Sequence, residues 1–169
     1  MNLEEFNQLT PEAAQSGLLL CCGSKKWAEQ MAARRPYRTF EALNGAADEV
    51  WFSLSKADWL EAFSHHPRIG ERQLREKFSA TAQWAEQEQR GASGASENLL
   101  KGLAVGNEAY QKRFGFVFLI CATGKSAEEM LLALDQRLGN GPERELKTAA
   151  GEQSKITQIR LKKWLGVSG

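Results

Sequence analysis

Apolar residues recur at helical spacing along most of this chain, with short polar breaks between the runs. From Thr39 onward, Phe40, Leu43, Ala47, Val50, Trp51 and Leu54 follow a 3.6-residue period, which predicts an amphipathic helix. Upstream, Thr10-Pro11-Glu12 reads as N-cap, first-turn proline and first-turn acid. That helix is expected to run through Leu18, Leu19 and Cys22 and to stop near Gly23. Ser24 caps the next one, which carries Trp27 and Met31 and ends before Pro36. Ser55-x-x-Asp58 has the form of an acidic capping motif, opening a short helix with Trp59, Leu60 and Phe63. This helix delivers the chain to His66.

Between Arg72 and Gln89 the chain is polar, with Leu74, Phe78, Trp84 and Ala85 as sparse anchors. Arg90-Gly91-Ala92-Ser93-Gly94-Ala95 breaks the pattern and reads as a loop. Ser96 then caps a long helix through Leu99, Leu100, Leu103, Ala104, Tyr110 and Phe114, which Gly115 ends. The run from Phe116 to Ala122 is continuously apolar and fits either a buried extended segment or a buried helix. Ser126-x-x-Glu129 reads as a capping box for a helix with Met130, Leu131, Leu134 and Leu138. Gly139-Asn140-Gly141-Pro142 is a turn. The last helix starts at about Glu143 and runs toward Leu165, with Ile156 and Ile159 as anchors and Gly151 as a candidate kink. The whole predicts an all-α, compact bundle of about eight helices with one short extended or irregular apolar segment near residues 116–122. The aromatic residues, at helical spacing, are expected mostly inside.

Size and charge narrow the function classes. A chain of 169 residues makes one domain, here taken as 1–169, or two small helical lobes sharing a core. Its formal net charge is +1, with both signs spread along the chain, so a nucleic acid is an unsuitable partner. The apolar run Leu18-Leu19-Leu20-Cys21-Cys22 is too short to cross a bilayer and follows acidic rather than basic residues. The three cysteines form no Cys-x-x-Cys pair. They read as small buried hydrophobes of a reducing cytoplasm, with a nucleophilic Cys121 as the alternative. Two adjacent histidines do not make a metal site, and none is expected.

Four features stand out as candidate chemistry. His65-His66-Pro67 holds both histidines, and histidine titrates nearest neutrality. The proline biases His66 out of helical geometry, so it is either a solvated helix-end residue or an imidazole presented for proton transfer. Glu88-Gln89 lies at the expected end of a polar helix, where the macrodipole disfavours a carboxylate. The backbone of Phe116 to Ala122, if extended, offers N–H and C=O groups to a ligand. Arg160, between Ile159 and Leu161, is either a surface residue lying on apolar neighbours or a fork for a carboxylate or carbonyl.

Their order along the chain is distinctive. His-Pro-Arg-Ile-Gly-Glu (His66 to Glu71), Glu-Gln-x-Gly (Glu88 to Gly91), Asn-x-x-Tyr-x-x-Arg-Phe-Gly-Phe-x-Phe (Asn107 to Phe118) and Arg-Leu-x-x-Trp-Leu (Arg160 to Leu165) follow one another. This series resembles the 2-oxo-4-hydroxy-4-carboxy-5-ureidoimidazoline (OHCU) decarboxylases of uric acid breakdown. The resemblance extends from Leu3-Glu4-Glu5-Phe6-Asn7 to the last helix.

The resemblance implies an all-α homodimer that needs neither metal nor organic cofactor and converts a ureidoimidazoline to (S)-allantoin and CO2. It implies His66 as the catalytic group. Substrate contacts are implied at Pro67, Ala85, Glu88, Gln89, Phe118, Leu119, Ile120, Cys121, Ala122 and Arg160. Ala85 stands where the family often has serine, so one hydroxyl contact is missing or replaced. Two other readings remain at this point: a different cofactor-free ureide lyase or hydrolase on the same scaffold, and a non-catalytic helical binding module.

Overall fold

Helix starts in this protein fall where a side chain can accept a backbone N–H, because the first turn of a helix leaves its donors without partners. The computed structural model describes residues 1–68 and 93–168, the side chains of 93–96 excepted. Among these are eight helices and no strand. Helix α1 (Leu3–Gln8) opens on a reciprocal box, Asn2 Oδ1 accepting the Glu5 N–H at 2.9 Å and the Glu5 carboxylate accepting the Asn2 N–H at 2.8 Å. Thr10, Ser24, Thr39 and Ser55 cap α2 (Pro11–Cys21), α3 (Lys25–Ala33), α4 (Phe40–Ser53) and α5 (Lys56–Ser64). Beyond the undescribed stretch come α6 (Ser93–Phe114), α7 (Ala127–Leu138) and α8 (Pro142–Trp164).

The sequence reading needs correcting at several points. It contains no helix before Thr10, because α1 is too short to show a periodicity. The expected loop at Ser93-Gly94-Ala95 is the first turn of α6, so Ser96 is not an N-cap. One glycine costs a helix about 1 kcal/mol, which a long packed helix absorbs. Helix α8 begins at Pro142, whose missing N–H would have had no helical partner there, and Gly151 does not interrupt it. Ser126 caps α7 one-sidedly: its Oγ accepts the Glu129 N–H, while the Glu129 carboxylate takes the Ser126 hydroxyl. Phe52 on α4 is exposed, within the expectation that the aromatics lie mostly inside, whereas Cys121 is half-buried rather than buried.

The apolar run after α6 is irregular, which excludes the buried-helix alternative. Gly115 (φ 83°) stops α6, and Gly124 (φ 76°) turns the chain back toward α7. Both angles lie in the left-handed region, where a side chain would be strained.

Two compact units divide the chain, 1–66 with 150–169, and 67–149. The core of the first is built from Phe6, Leu18, Trp27, Met31, Leu43, Val50, Trp51, Phe63, Leu161 and Leu165. Its indoles are satisfied: Trp27 Nε1 donates to Ala47 O at 3.1 Å and Trp51 Nε1 to Ala150 O at 2.9 Å. Arg35 donates to the carbonyls of Phe6 and Leu9, both at 2.8 Å, placing a cation at the negative end of α1. In the second unit, Leu100, Leu103, Tyr110, Met130 and Leu134 form the core, with Phe114 tilted against the Tyr110 ring and Phe116 and Phe118 meeting it edge-on.

Two helical glycines differ in what surrounds them. A Cβ at Gly17 would collide with the indole of Trp164, whereas one at Gly45 meets open space. Gly45→Ala should therefore stabilise by about 0.5–1 kcal/mol through helix propensity. Gly17→Ala should destabilise by about 1–3 kcal/mol, because overpacking against a rigid ring outweighs the same propensity gain. Urea unfolding of the two variants checks this; equal signs would mean that the Trp164 indole yields.

Candidate active site

Helix α5 ends on the histidine pair. The His65 N–H closes the last turn on Ala62 O, and the His66 N–H reaches Phe63 O at 3.1 Å. Pro67 follows and has no N–H with which to continue the helix. The His65 ring lies where a Cβ of Gly23 would be, so the absence of a side chain at position 23 makes room for it. His65 is exposed; His66 is half-buried.

The imidazole of His66 points at α8. Its Nε2 lies 2.7 Å from Oε1 of the buried Gln153. Gln153 Nε2 donates to Thr157 Oγ1 at 3.0 Å, and Thr157 Oγ1 donates to the carbonyl of Cys21 at 3.5 Å. Arg160 Nη1 donates to that same carbonyl at 3.3 Å. The first unit thus gathers His66 and Arg160, two of the groups picked out in the sequence, onto one framework with Gln153 and Thr157. Arg160 is exposed apart from this anchor.

Electrostatics keeps the imidazole neutral. Burial holds His66 below the usual histidine value; its hydrogen bond to Gln153 opposes this, and the charges of Arg160 and His65 add to it. Burial also raises the neighbouring thiols, Cys21 to about 11 and Cys22 to about 12. Both are therefore protonated at neutral pH and unsuited to nucleophilic work.

The apolar strip belongs to the second unit. Leu119 is buried, while Phe118, Ile120, Cys121 and Ala122 are half-buried. Arg137 Nη1 donates to Leu119 O at 2.7 Å, and its guanidinium lies 4.5 Å from the Phe118 ring centroid. Arg137 is in turn held by Glu145 at 2.6 Å, with both side chains buried. The Lys125 N–H closes a turn on Ala122 O at 3.1 Å. Pro67 is exposed beside His66. Ala85, Glu88 and Gln89 lie outside the described residues. Among the described residues no three His, Cys, Asp or Glu side chains group as metal ligands, and no helix is long and apolar enough to cross a membrane.

Sequence reasoning missed Gln153, Thr157 and Arg137. The first two share a signal that was available: with Arg160 they stand at i, i+4 and i+7 of α8, one face of a helix. A polar stripe at that spacing normally reads as a solvated face, which is why it went unused. Arg137 sits in the last turn of α7, where a basic residue is ordinary.

Comparison with known proteins gives these groups a context. The family model for OHCU decarboxylase matches residues 7–162. The chain is 44% identical over 146 residues to the uric acid degradation bifunctional protein TTL of Arabidopsis thaliana, covering 85% of this chain and 45% of that one. It thus spans under half of that bifunctional relative, and 32% of a second, from Bacillus sp. (strain TB-90). It is 34% identical over 127 residues to the 2-oxo-4-hydroxy-4-carboxy-5-ureidoimidazoline decarboxylase of Amia calva, covering 75% of this chain and 73% of the relative. A crystal structure of an OHCU decarboxylase in the presence of (S)-allantoin superposes with a TM-score of 0.69 at 40% identity, covering 88% of this chain and 96% of that one. An (S)-allantoin synthase structure, at 22% identity and a TM-score of 0.68, shares the fold. The match over residues 7–162 and the identity to the Amia calva enzyme place this chain in the OHCU decarboxylase family.

Proposed function

We propose that this chain decarboxylates 2-oxo-4-hydroxy-4-carboxy-5-ureidoimidazoline to (S)-allantoin and CO2 in uric acid degradation, without a cofactor and with His66 as general acid and base. The observation that carries this reading is the 40% identity to the OHCU decarboxylase crystallised with (S)-allantoin, nearly all of which the chain covers. The chain acts as one domain in this reading, and as a cytoplasmic homodimer.

The chemistry needs no external electron sink. The substrate carries carboxylate and hydroxyl on one ring carbon, next to a C=N bond. As the C–CO2 bond breaks, its electron pair forms a carbon–carbon double bond and the C=N pair moves to nitrogen, which takes a proton. The enol O–H then gives up its proton, the carbonyl forms, and the ureido-bearing carbon is protonated from one face. Neutral His66 accepts the hydroxyl proton and returns one to carbon. Arg160 holds a carboxylate or carbonyl oxygen through the N–H groups that Cys21 O leaves available. Glu88 and Gln89 bind the ureido and ring amides, with Glu88 alternatively orienting the imidazole. Pro67, Ala85 and the backbone of Phe118, Leu119, Ile120, Cys121 and Ala122 complete the contacts.

His66→Ala should cut turnover by about 10²–10⁴-fold, the usual worth of a positioned proton-transfer group, while the far-UV spectrum stays native. The assay generates substrate from urate in situ and follows the circular dichroism of the product against a no-enzyme control. Near-normal turnover would end the assignment.

The base must be neutral, and the folded pKa is lowered. Activity should therefore be full at neutral pH and fall through an acid limb whose midpoint lies below the usual histidine value of about 6.5. A limb at or above that value in the kcat/KM profile would contradict the assigned environment.

Arg160→Lys keeps the charge and loses the fork. It should raise KM by about tenfold, the worth of one hydrogen bond, with a smaller effect on kcat. Unchanged steady-state kinetics would return Arg160 to a surface role.

A further inference from the structure

The unexplained feature of the first unit is a hydrogen-bonded chain with a definite direction. It begins at a backbone carbonyl, Cys21 O, which can only accept. Thr157 Oγ1 faces that carbonyl and the Cys22 thiol on the side away from Gln153; with its single proton directed there, the hydroxyl accepts from Gln153. The group facing Thr157 is then the amide NH2 of Gln153, and the amide oxygen is the end left for His66. An amide oxygen has no proton to give. At 2.7 Å from it, His66 Nε2 has to be the donor.

Resting on the function proposed above, we propose that Gln153 is a positioning residue that fixes the neutral His66 ring as its Nε2–H tautomer, making Nδ1 the atom that exchanges protons with the substrate. A free imidazole samples both tautomers, and the wrong one would present an N–H where the reaction needs a lone pair. Gln153 is fully buried and braced by Thr157 one turn on, so its orientation is fixed before substrate arrives. Among the described residues, the groups that act on the imidazole are His65, next to it in the chain, and Gln153 and Arg160 from α8. Among them only Gln153 accepts from the ring in this structure, so the tautomer depends on it.

The test starts with the unaltered protein. The two histidines give a long-range ¹H–¹⁵N spectrum that a His65→Gln variant assigns. At neutral pH His66 should show a protonated Nε2 and a bare Nδ1, whereas exposed His65 should show a mixture. A predominant Nδ1–H form, or a mixture at His66, would overturn the proposal. Gln153→Leu should bring the mixture back and lower kcat about tenfold, the worth of one hydrogen bond, with KM little changed. Gln153→Glu places a carboxylate on Nε2–H and favours the imidazolium. It should move both the NMR titration of His66 and the acid limb of activity up by about one pH unit or more. An unmoved titration in that variant would count against the contact. The spectrum of the unaltered protein needs no turnover. A fixed Nε2–H ring in an enzyme inactive on the ureidoimidazoline would therefore sink the proposed activity and leave the tautomer assignment standing.

Discussion

The carbonyl of Cys21 organises the chemistry of the first unit. As the last residue of α2, Cys21 has no helical donor ahead of it, so its C=O is one of the orphan acceptors every helix end leaves. Water or a glycine-based cap would ordinarily take it. Here α8 supplies two donors instead, the Thr157 hydroxyl and the Arg160 guanidinium. One unsatisfied backbone group therefore fixes the direction of the chain that ends at His66 and the place of a cation near it. Burial, with a smaller contribution from the same cation, holds the imidazole neutral.

The second unit solves a similar problem with a charge pair. An irregular apolar segment carries peptide groups that no helix or sheet satisfies, and burying them without partners costs several kcal/mol in all. Arg137 meets this by giving one N–H to Leu119 O and its Nε–H to Glu145, with its face against Phe118. Such a buried pair contributes little net stability, because desolvation offsets most of the attraction. Its effect is geometric: Leu119 and Phe118 are held where the chain would otherwise wander. Burial raises the Tyr110 hydroxyl beside this pair well above its ordinary value, so it stays protonated.

Helix boundaries were legible in the sequence wherever a cap announced them. Thr10, Ser24, Ser55 and Ser126 each accept the N–H three residues on, at the positions their neighbours indicated. Legibility failed for two physical reasons. A six-residue helix such as α1 has too few apolar positions to show a period, and Ser93-Gly94-Ala95 has loop-like composition but no side chain that forbids a helix. His66 and Arg160 were visible as candidates because Pro67 and apolar neighbours mark them out. Gln153 and Thr157 were not, since polar residues on a helix face carry no sign of burial until the helix is packed. Long-range pairing, His66 with Gln153 or Arg137 with Leu119, is what a linear reading lacks.

The coupling between Arg160 and His66 has a consequence for the proposed reaction. Arg160 lowers the proton affinity of the imidazole. A substrate carboxylate bound at Arg160 would offset that charge while CO2 is still attached. Once CO2 departs, the offset goes with it, and the enol proton reaches His66 with the cation uncompensated. The restored cation then favours passing that proton on to carbon over keeping it on the ring. The direction of this effect follows from the sign of the Arg160 contribution, whichever ring nitrogen carries the proton.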